Sequence, residues 1–357
     1  MKTYIKFLIK NFYKSLLSVL AVMVSLIFLI NLLSEIEFFN KIIVNSYLPL
    51  YLALINTPSI IFEMFPFIFL LTAQFFFIKL FNNNELQIFK YSGLKNSKIL
   101  NLLALLSFAT GTIIITLFYN FSSSLKNFYF EVKNQYSEDN TYLAVITKNG
   151  LWIKDVVGDN ISIIHASKID KNFLNNTFIS KFNNDFNIIE NIKSDKIDIK
   201  DKTWKIENAK IFKDKETFHE NIFLFKSNFN LQIIQGLFSN LSSLGLIKLI
   251  NLRDNYKNLN YSTTEVDIQI YKIFTYPFYL TIMTILSSLI MFNSKKFKSS
   301  IFKISFGLFL SVIIYYFNNF FYILGATEKI PALISILSPL IIMSVLIFIM
   351  SIKINEK

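Results

Sequence analysis

Residues 15–33 read SLLSVLAVMVSLIFLINLL and contain no charged side chain. The run is about as long as an α-helix needs to cross the roughly 30 Å hydrocarbon core of a bilayer. A secretory signal peptide has a shorter apolar core and a small-residue cleavage site. Here SEIEFFNK follows at 34–41, so the run is read as an uncleaved first membrane helix. Before it, MKTYIKFLIKNFYK (1–14) alternates Lys2, Lys6, Lys10 and Lys14 with apolar residues and reads as an amphipathic cytoplasmic lead-in.

Working outward, five more apolar runs follow at about 47–80, 99–119, 270–292, 301–324 and 332–352. The second is interrupted by Pro58 and Pro66 and contains Glu63. An ionisable residue at membrane depth is costly and usually faces a cavity or a partner. A second helix starting only after Pro58 would instead leave Glu63 near the outer interface. The chain is 53% hydrophobic, with a mean hydropathy of +0.46. Its excess apolar content is gathered into these long runs, as in membrane spans. The net charge of +12 is carried mostly by lysines flanking them, which points to a membrane surface rather than to nucleic acid. The abundance of Asn, Ile, Lys and Phe, with Arg253 as the single arginine and 8 glycines, is the signature of an AT-rich genome.

Lysine placement sets the expected orientation. Four lysines lie in 1–14. Lys79, Lys90, Lys95 and Lys98 flank the connection between spans two and three, and Lys295, Lys296, Lys298 and Lys303 that between four and five. On the other side Lys41 is set against Glu35 and Glu37, and Lys329 against Glu328. Both termini are therefore expected in the cytoplasm, with the polar region at 121–266 outside. That region alternates apolar and polar residues in LAVITKNGLWIKDVV, NISIIHASKI, FNIIENIK, KIDIKDKTWKIENAKIF and NIFLFKSNF, broken by Asn-Gly, Gly-Asp-Asn and Asp-Lys turns. It reads as an all-β sandwich or open jelly-roll-like sheet. A helical period over 231–258 would return the chain to span four. The expected organisation is spans one to three in 1–120, the β domain with its return segment in 121–266, and spans four to six in 267–357.

Several chemistries are excluded or disfavoured. There is no cysteine, hence no disulfide and no thiolate metal site or nucleophile. No glycine precedes a lysine, so no Walker A loop cradles a nucleotide. His165 and His219 lack a second His or Cys at ligand spacing and read as ordinary surface or packing residues. No Ser-His-Asp or nucleophile-elbow pattern appears.

The most informative polar segment is NNNELQIFKYSGLKNSKIL, residues 82–100. Asn84 can cap a short helix beginning at Glu85, whose carboxylate suits the positive helix N-terminus. Leu86, Phe89 and Leu94 offer an apolar face, and Gly93 can end the helix. Such a helix can lie on the lipid surface or dock into a groove of a cytoplasmic partner.

NNNELQIFKYSG resembles the coupling-helix signature of the LptF/LptG lipopolysaccharide-export permeases, in which a Glu-Leu pair is followed seven residues on by Ser-Gly. IIFEMFPFIFLLTA (60–73) is similar to that family's proline-centred second helix, YKIFTYPFYL (271–280) to its entry into the fourth, and GATEKIPALISILSP (325–339) to its last loop and sixth helix. The order and spacing agree over nearly the whole chain. NGLWIKD (149–155) is more like the G-type permease.

The resemblance implies an inner-membrane half-transporter paired with an LptF-type permease. An LptB-type ATPase dimer would dock on the coupling helix through Glu85, Leu86, Phe89 and Gly93. ATP would be used by that partner, with no cofactor bound by this chain. The β domain would pass lipopolysaccharide to LptC- and LptA-type bridge proteins. Val24, Phe28, Asn31, Lys41, Phe317 and Phe320, on helices one and five, would line a lateral lipid cavity. One departure stands out: the outer end of the family's first helix tends to be basic, whereas here Lys41 is the only base beside Asn31, Glu35 and Glu37. Either the head group carries less phosphate or the partner supplies the charge. A permease that moves a periplasmic partner rather than lipid, or a membrane-anchored assembly or receptor protein, would share the topology without the lipid substrate.

Overall fold

The computed structural model describes residues 3–355, apart from 41, 43, 137–150, 171, 214–215, 232, 235–239, 260 and 293–298. The chain divides into two compact units, Met1–Tyr129 with Thr264–Lys357, and Phe130–Thr263.

Among the described residues six helices are long and apolar enough to cross a membrane, and they build the first unit, the third of them running on past Tyr129. α1 (Thr3–Phe39) takes in the lysine-bearing lead-in without a break, because Lys6, Lys10 and Lys14 recur every four residues and keep one stripe of the helix. α2 runs Tyr47–Asn82 through Pro58 and Pro66, so it does not wait for Pro58 to begin. Pro66 has no N–H for the carbonyl of Phe62, and the Tyr276 hydroxyl donates to that carbonyl instead. After the short α3 (Glu85–Tyr91), the third span is a single run. α4 (Asn96–Ile113) passes through a π-helical turn at Ile114–Tyr119 into α5 (Asn120–Asn134). It thus continues past residue 120, where the sequence turns polar, as an amphipathic helix.

Phenylalanine fills much of this unit. Phe12 of α1 packs edge-on against Phe69 and Phe76 of α2, and all three are fully buried. Polar side chains hold the helices together where apolar contacts alone are weak in lipid. Asn31 donates to the Ala53 carbonyl (2.9 Å) and accepts from Asn56 (3.2 Å).

The remaining spans follow the β insertion: α7 (Thr264–Phe292), α8 (Ser300–Ala326) and α9 (Ala332–Asn355). Ser107 donates to Thr284 (2.9 Å), joining α4 to α7. Gln74 of α2 donates to the Lys303 carbonyl of α8 (3.0 Å). Three glycines sit at crossings with no room for a side chain. A Cβ on Gly111 would come within 3.0 Å of Pro277, one on Gly307 would strike the Gln74 amide, and one on Gly325 would strike Ser335.

Among the described residues the second unit holds the end of α5, a β-sheet and a helical return. β1 (Leu151–Val157), β2 (Asn160–Asp170), β3 (Phe173–Phe182), β4 (Ile188–Asp198), β5 (Thr203–Lys213) and β6 (Glu216–Lys226) form one antiparallel sheet in sequence order. One face carries the core row Ile153, Ile164, Ile179, Ile192 and Ile211, aligned strand to strand. Trp204 is fully buried beside them and donates to the Phe229 carbonyl (2.8 Å).

Asp155, also buried, accepts from Ser227 (2.7 Å), the Asn228 backbone (3.1 Å) and the Asn228 side chain (2.9 Å), which latches β1 to the segment after β6. Burial pushes the Tyr261 hydroxyl above its ordinary pKa; its bond to the Lys154 carbonyl opposes this and the Asp155 charge adds to it. It therefore stays a neutral donor, giving its proton to the Lys154 carbonyl at 3.0 Å. The return segment is helical at α6 (Leu246–Asn258). The LAVIT stretch before β1 lies outside the described residues.

Candidate functional site

The segment after α2 is built to present a short helix. Asn83 closes α2 by donating to the Lys79 carbonyl. Asn84 then adopts a left-handed conformation (φ 57°), which Asn tolerates better than most residues. Its side chain makes no cap bond, so the expected Asn84 cap is not formed. The left-handed turn points the amide away from the helix, and Asn83 instead donates to Glu85 Oε1 (3.1 Å). Glu85 Oε2 is buried and without a hydrogen-bond partner among the described residues.

The other end is a Schellman cap. Gly93 (φ 76°) donates to the Lys90 carbonyl and Leu94 to that of Phe89. Gly93 is thus the residue that stops α3, as its placement suggested.

The apolar face expected to meet a partner is turned inward. Leu86 is 5% exposed and belongs to the core of the helical unit. Phe89 and Leu94 pack against the same core, and Phe89 meets Phe7 of α1 edge-on at 6.0 Å. These residues seat the helix. Its outward apolar face is Ile88, 59% exposed, and Tyr91, 88% exposed, which lie three residues apart beside exposed Gln87 and Lys90. Sequence spacing singled out the face of Leu86, Phe89 and Leu94, and the packing of α3 on the helical core turns that face inward.

The residues expected to line a lateral cavity divide. Asn31 is buried in the seam between α1 and α2, bonded as above, and faces away from lipid. Polar amides in an apolar surrounding need partners, and α2 supplies them. Val24 and Phe28 on α1, and Phe317 on α8, are half-buried, while Phe320 is exposed. Phe321 packs edge-on with both Phe317 (5.1 Å) and Phe320 (5.7 Å). α1 also exposes Val22, Leu26, Leu29, Ile30 and Leu33, and α8 exposes Phe309, Val312 and Tyr316. Lys41 lies outside the described residues.

Glu35 is 1% exposed and accepts from the buried Tyr129 hydroxyl (2.7 Å), so one of the two acids at the outer end of α1 is withdrawn into the protein. Glu63 is exposed and pairs with Lys126 of α5 at 3.2 Å.

His165 packs on Trp152 with ring centroids 4.4 Å apart, and the two stand in register with Phe178 across β1, β2 and β3. His219 is exposed on β6. Both have structural surroundings of the ordinary kind.

The segments that carry the family resemblance meet in space. Phe62, from 60–73, stacks on Tyr276, from 271–280, at 4.7 Å and 14°, and receives its hydroxyl. Gly325 and Ser335, both from 325–339, meet at the turn between α8 and α9. A comparison with curated proteins returned no match. A family model described as lipopolysaccharide export system permease LptF/LptG matches residues 6–353. Six apolar spans, an antiparallel sheet inserted between the third and fourth, and a match over nearly the whole chain lead to one assignment: the chain belongs to the LptF/LptG family of lipopolysaccharide export permeases.

Proposed function

We propose that this chain is the G-type permease half of an ATP-driven exporter that lifts lipopolysaccharide out of the bacterial inner membrane. Its termini and α3 lie in the cytoplasm and its sheet in the periplasm. An LptB-type ATPase dimer binds and hydrolyses ATP and docks on α3. An LptF-type permease pairs with the exposed faces of α1 and α8, and lipid acyl chains enter along the apolar residues there, including Phe28, Phe317 and Phe320. The sheet passes lipid to LptC- and LptA-type bridge proteins. The chain itself holds no cofactor.

The observation that carries this reading is α3. A seven-residue helix is marginal alone, yet this one is capped at its C-terminus, seated through Leu86 and Phe89, and presents Ile88 and Tyr91 outward. Aromatic anchors of this kind dominate docking interfaces. The G-type assignment rests on NGLWIKD, residues 149–155.

Reconstitution with an LptF-type permease and an LptB-type ATPase in nanodiscs tests the proposal. ATP-dependent transfer of lipopolysaccharide to an LptA-type acceptor is the expected result, and equal transfer without ATP would overturn it. Cysteines at Asn45, Lys168 and Thr327 should label from outside in cells, and one at Lys95 only after permeabilisation. External labelling at Lys95 would reverse the topology and remove α3 from the cytoplasm.

A further inference from the structure

A cleft of about 460 Å3 lies between α1 and α2. Its walls are graded. Val19, Val22 and Met23 of α1 and Leu71 and Phe75 of α2 make the apolar part, and Lys14, Lys79, Asn82 and Asn83 also line it. The helices are antiparallel neighbours, and Lys79 Nζ donates to Asn11 Oδ1 (3.3 Å). Lys14, Lys79 and Asn83 therefore share one level, and Met23 and Leu71 lie further along. From Lys14 to Met23 the helix rises by about 14 Å. Lys14 closes the lead-in just before the uncharged run 15–33, and Lys79 stands at the end of the run 47–80. The polar end of the cleft is thus at a bilayer surface and the apolar end at acyl-chain depth.

Among the described residues no acidic side chain lines the cleft; the nearest in sequence, Glu85, is bonded to Asn83. The same corner has a surplus of donors. Asn11 is buried, and its Nδ2 finds no acceptor among the described residues.

We infer that this cleft is a binding site for one acidic phospholipid, its phosphate held by Lys14 and Lys79 and an acyl chain lying along Val19, Val22, Met23 and Phe75. Basic pockets between membrane helices select anionic head groups in this way. An apolar helix of another subunit could cover the walls, but it would bring no counter-charge to Lys14 and Lys79. The site adjoins α3, so the lipid would brace the α1–α2 seam beside the docking helix. The inference goes beyond the export reading and does not depend on it.

The test is native mass spectrometry of the detergent-solubilised full chain, titrated with dioleoyl phosphatidylglycerol or dioleoyl phosphatidylcholine. The wild type should bind the glycerol lipid more tightly. Each lysine near the head group contributes about fivefold, so Lys14→Gln with Lys79→Gln should weaken phosphatidylglycerol by about thirtyfold and phosphatidylcholine, whose choline offsets its phosphate, by much less. Val22→Trp keeps both lysines but fills the cleft, and should lower occupancy by either lipid. Equal affinity of the wild type for the two lipids would reduce the cleft to a tail groove and overturn the proposal. Undiminished phosphatidylglycerol binding by the double variant or by Val22→Trp would place the lipid elsewhere and do the same.

Discussion

Leu86 and Tyr91 lie five residues apart on α3 and should fail in opposite ways. Leu86 is 5% exposed and packed in the helical core, where a Leu→Ala change costs about 2–5 kcal/mol. A seven-residue helix has little stability of its own to absorb that loss, so Leu86→Ala should unseat α3 and speed its amide exchange. Tyr91 is 88% exposed, and its removal should change stability by no more than about 0.5 kcal/mol. If Tyr91 is a docking anchor, Tyr91→Ala should weaken ATPase binding by at least about 2 kcal/mol, roughly thirtyfold in Kd. Hydrogen exchange over residues 82–100 and ATPase titration of the permease in nanodiscs, run on both variants, separate the effects. Tyr91→Ala that binds the ATPase like wild type, while Leu86→Ala leaves exchange unchanged, would refute the assignment of inward and outward faces.

Three further substitutions probe particular bonds. Asp155→Asn is nearly isosteric but turns an acceptor into a donor facing the Asn228 N–H groups; it should destabilise the sheet by about 2–3 kcal/mol, read as faster exchange in β1, and protection within about 0.5 kcal/mol of wild type would count against the latch. Tyr276→Phe should cost about 1–3 kcal/mol in thermal unfolding by exposing the Phe62 carbonyl that Pro66 leaves without a partner. That cost should shrink in a Pro66→Ala background, and an equal cost in both backgrounds would show that the hydroxyl serves something else. Gly307→Ala should cost about 1–3 kcal/mol by displacing the Gln74 amide from the Lys303 carbonyl, and Gln74→Ala should recover much of it.

The spans were legible because run length against bilayer thickness is a strong signal; their ends were not. The lead-in and Asn120–Asn134 both look like departures from a membrane helix when judged by polarity, yet each continues one, because an amphipathic stripe satisfies the helix while leaving the lipid. Five strands could be read from alternation. β3 was not among them: Asn176 takes a left-handed conformation (φ 48°) without a shift of register, and its buried positions fall at Leu174, Thr177 and Ile179, so the strict period of two is broken. At the candidate site the short helix, Glu85 and the stop at Gly93 were readable from local chemistry. The facing was not: it depends on Phe7, some eighty positions earlier in the chain. The hydrogen bonds of Asn31 were not legible for the same reason, since its partners Ala53 and Asn56 lie across a loop on α2.

Glycine codons begin with two guanines, so a genome drifting toward A and T discards glycine wherever another residue serves. Gly111, Gly307 and Gly325 stand against that drift, each where a helix crossing leaves no space for one more carbon. The crossings of α4 with α7, α8 with α2 and α8 with α9 are the points where the bundle has no room for one more carbon, and a recoded or stabilised version of this permease should leave those three positions untouched.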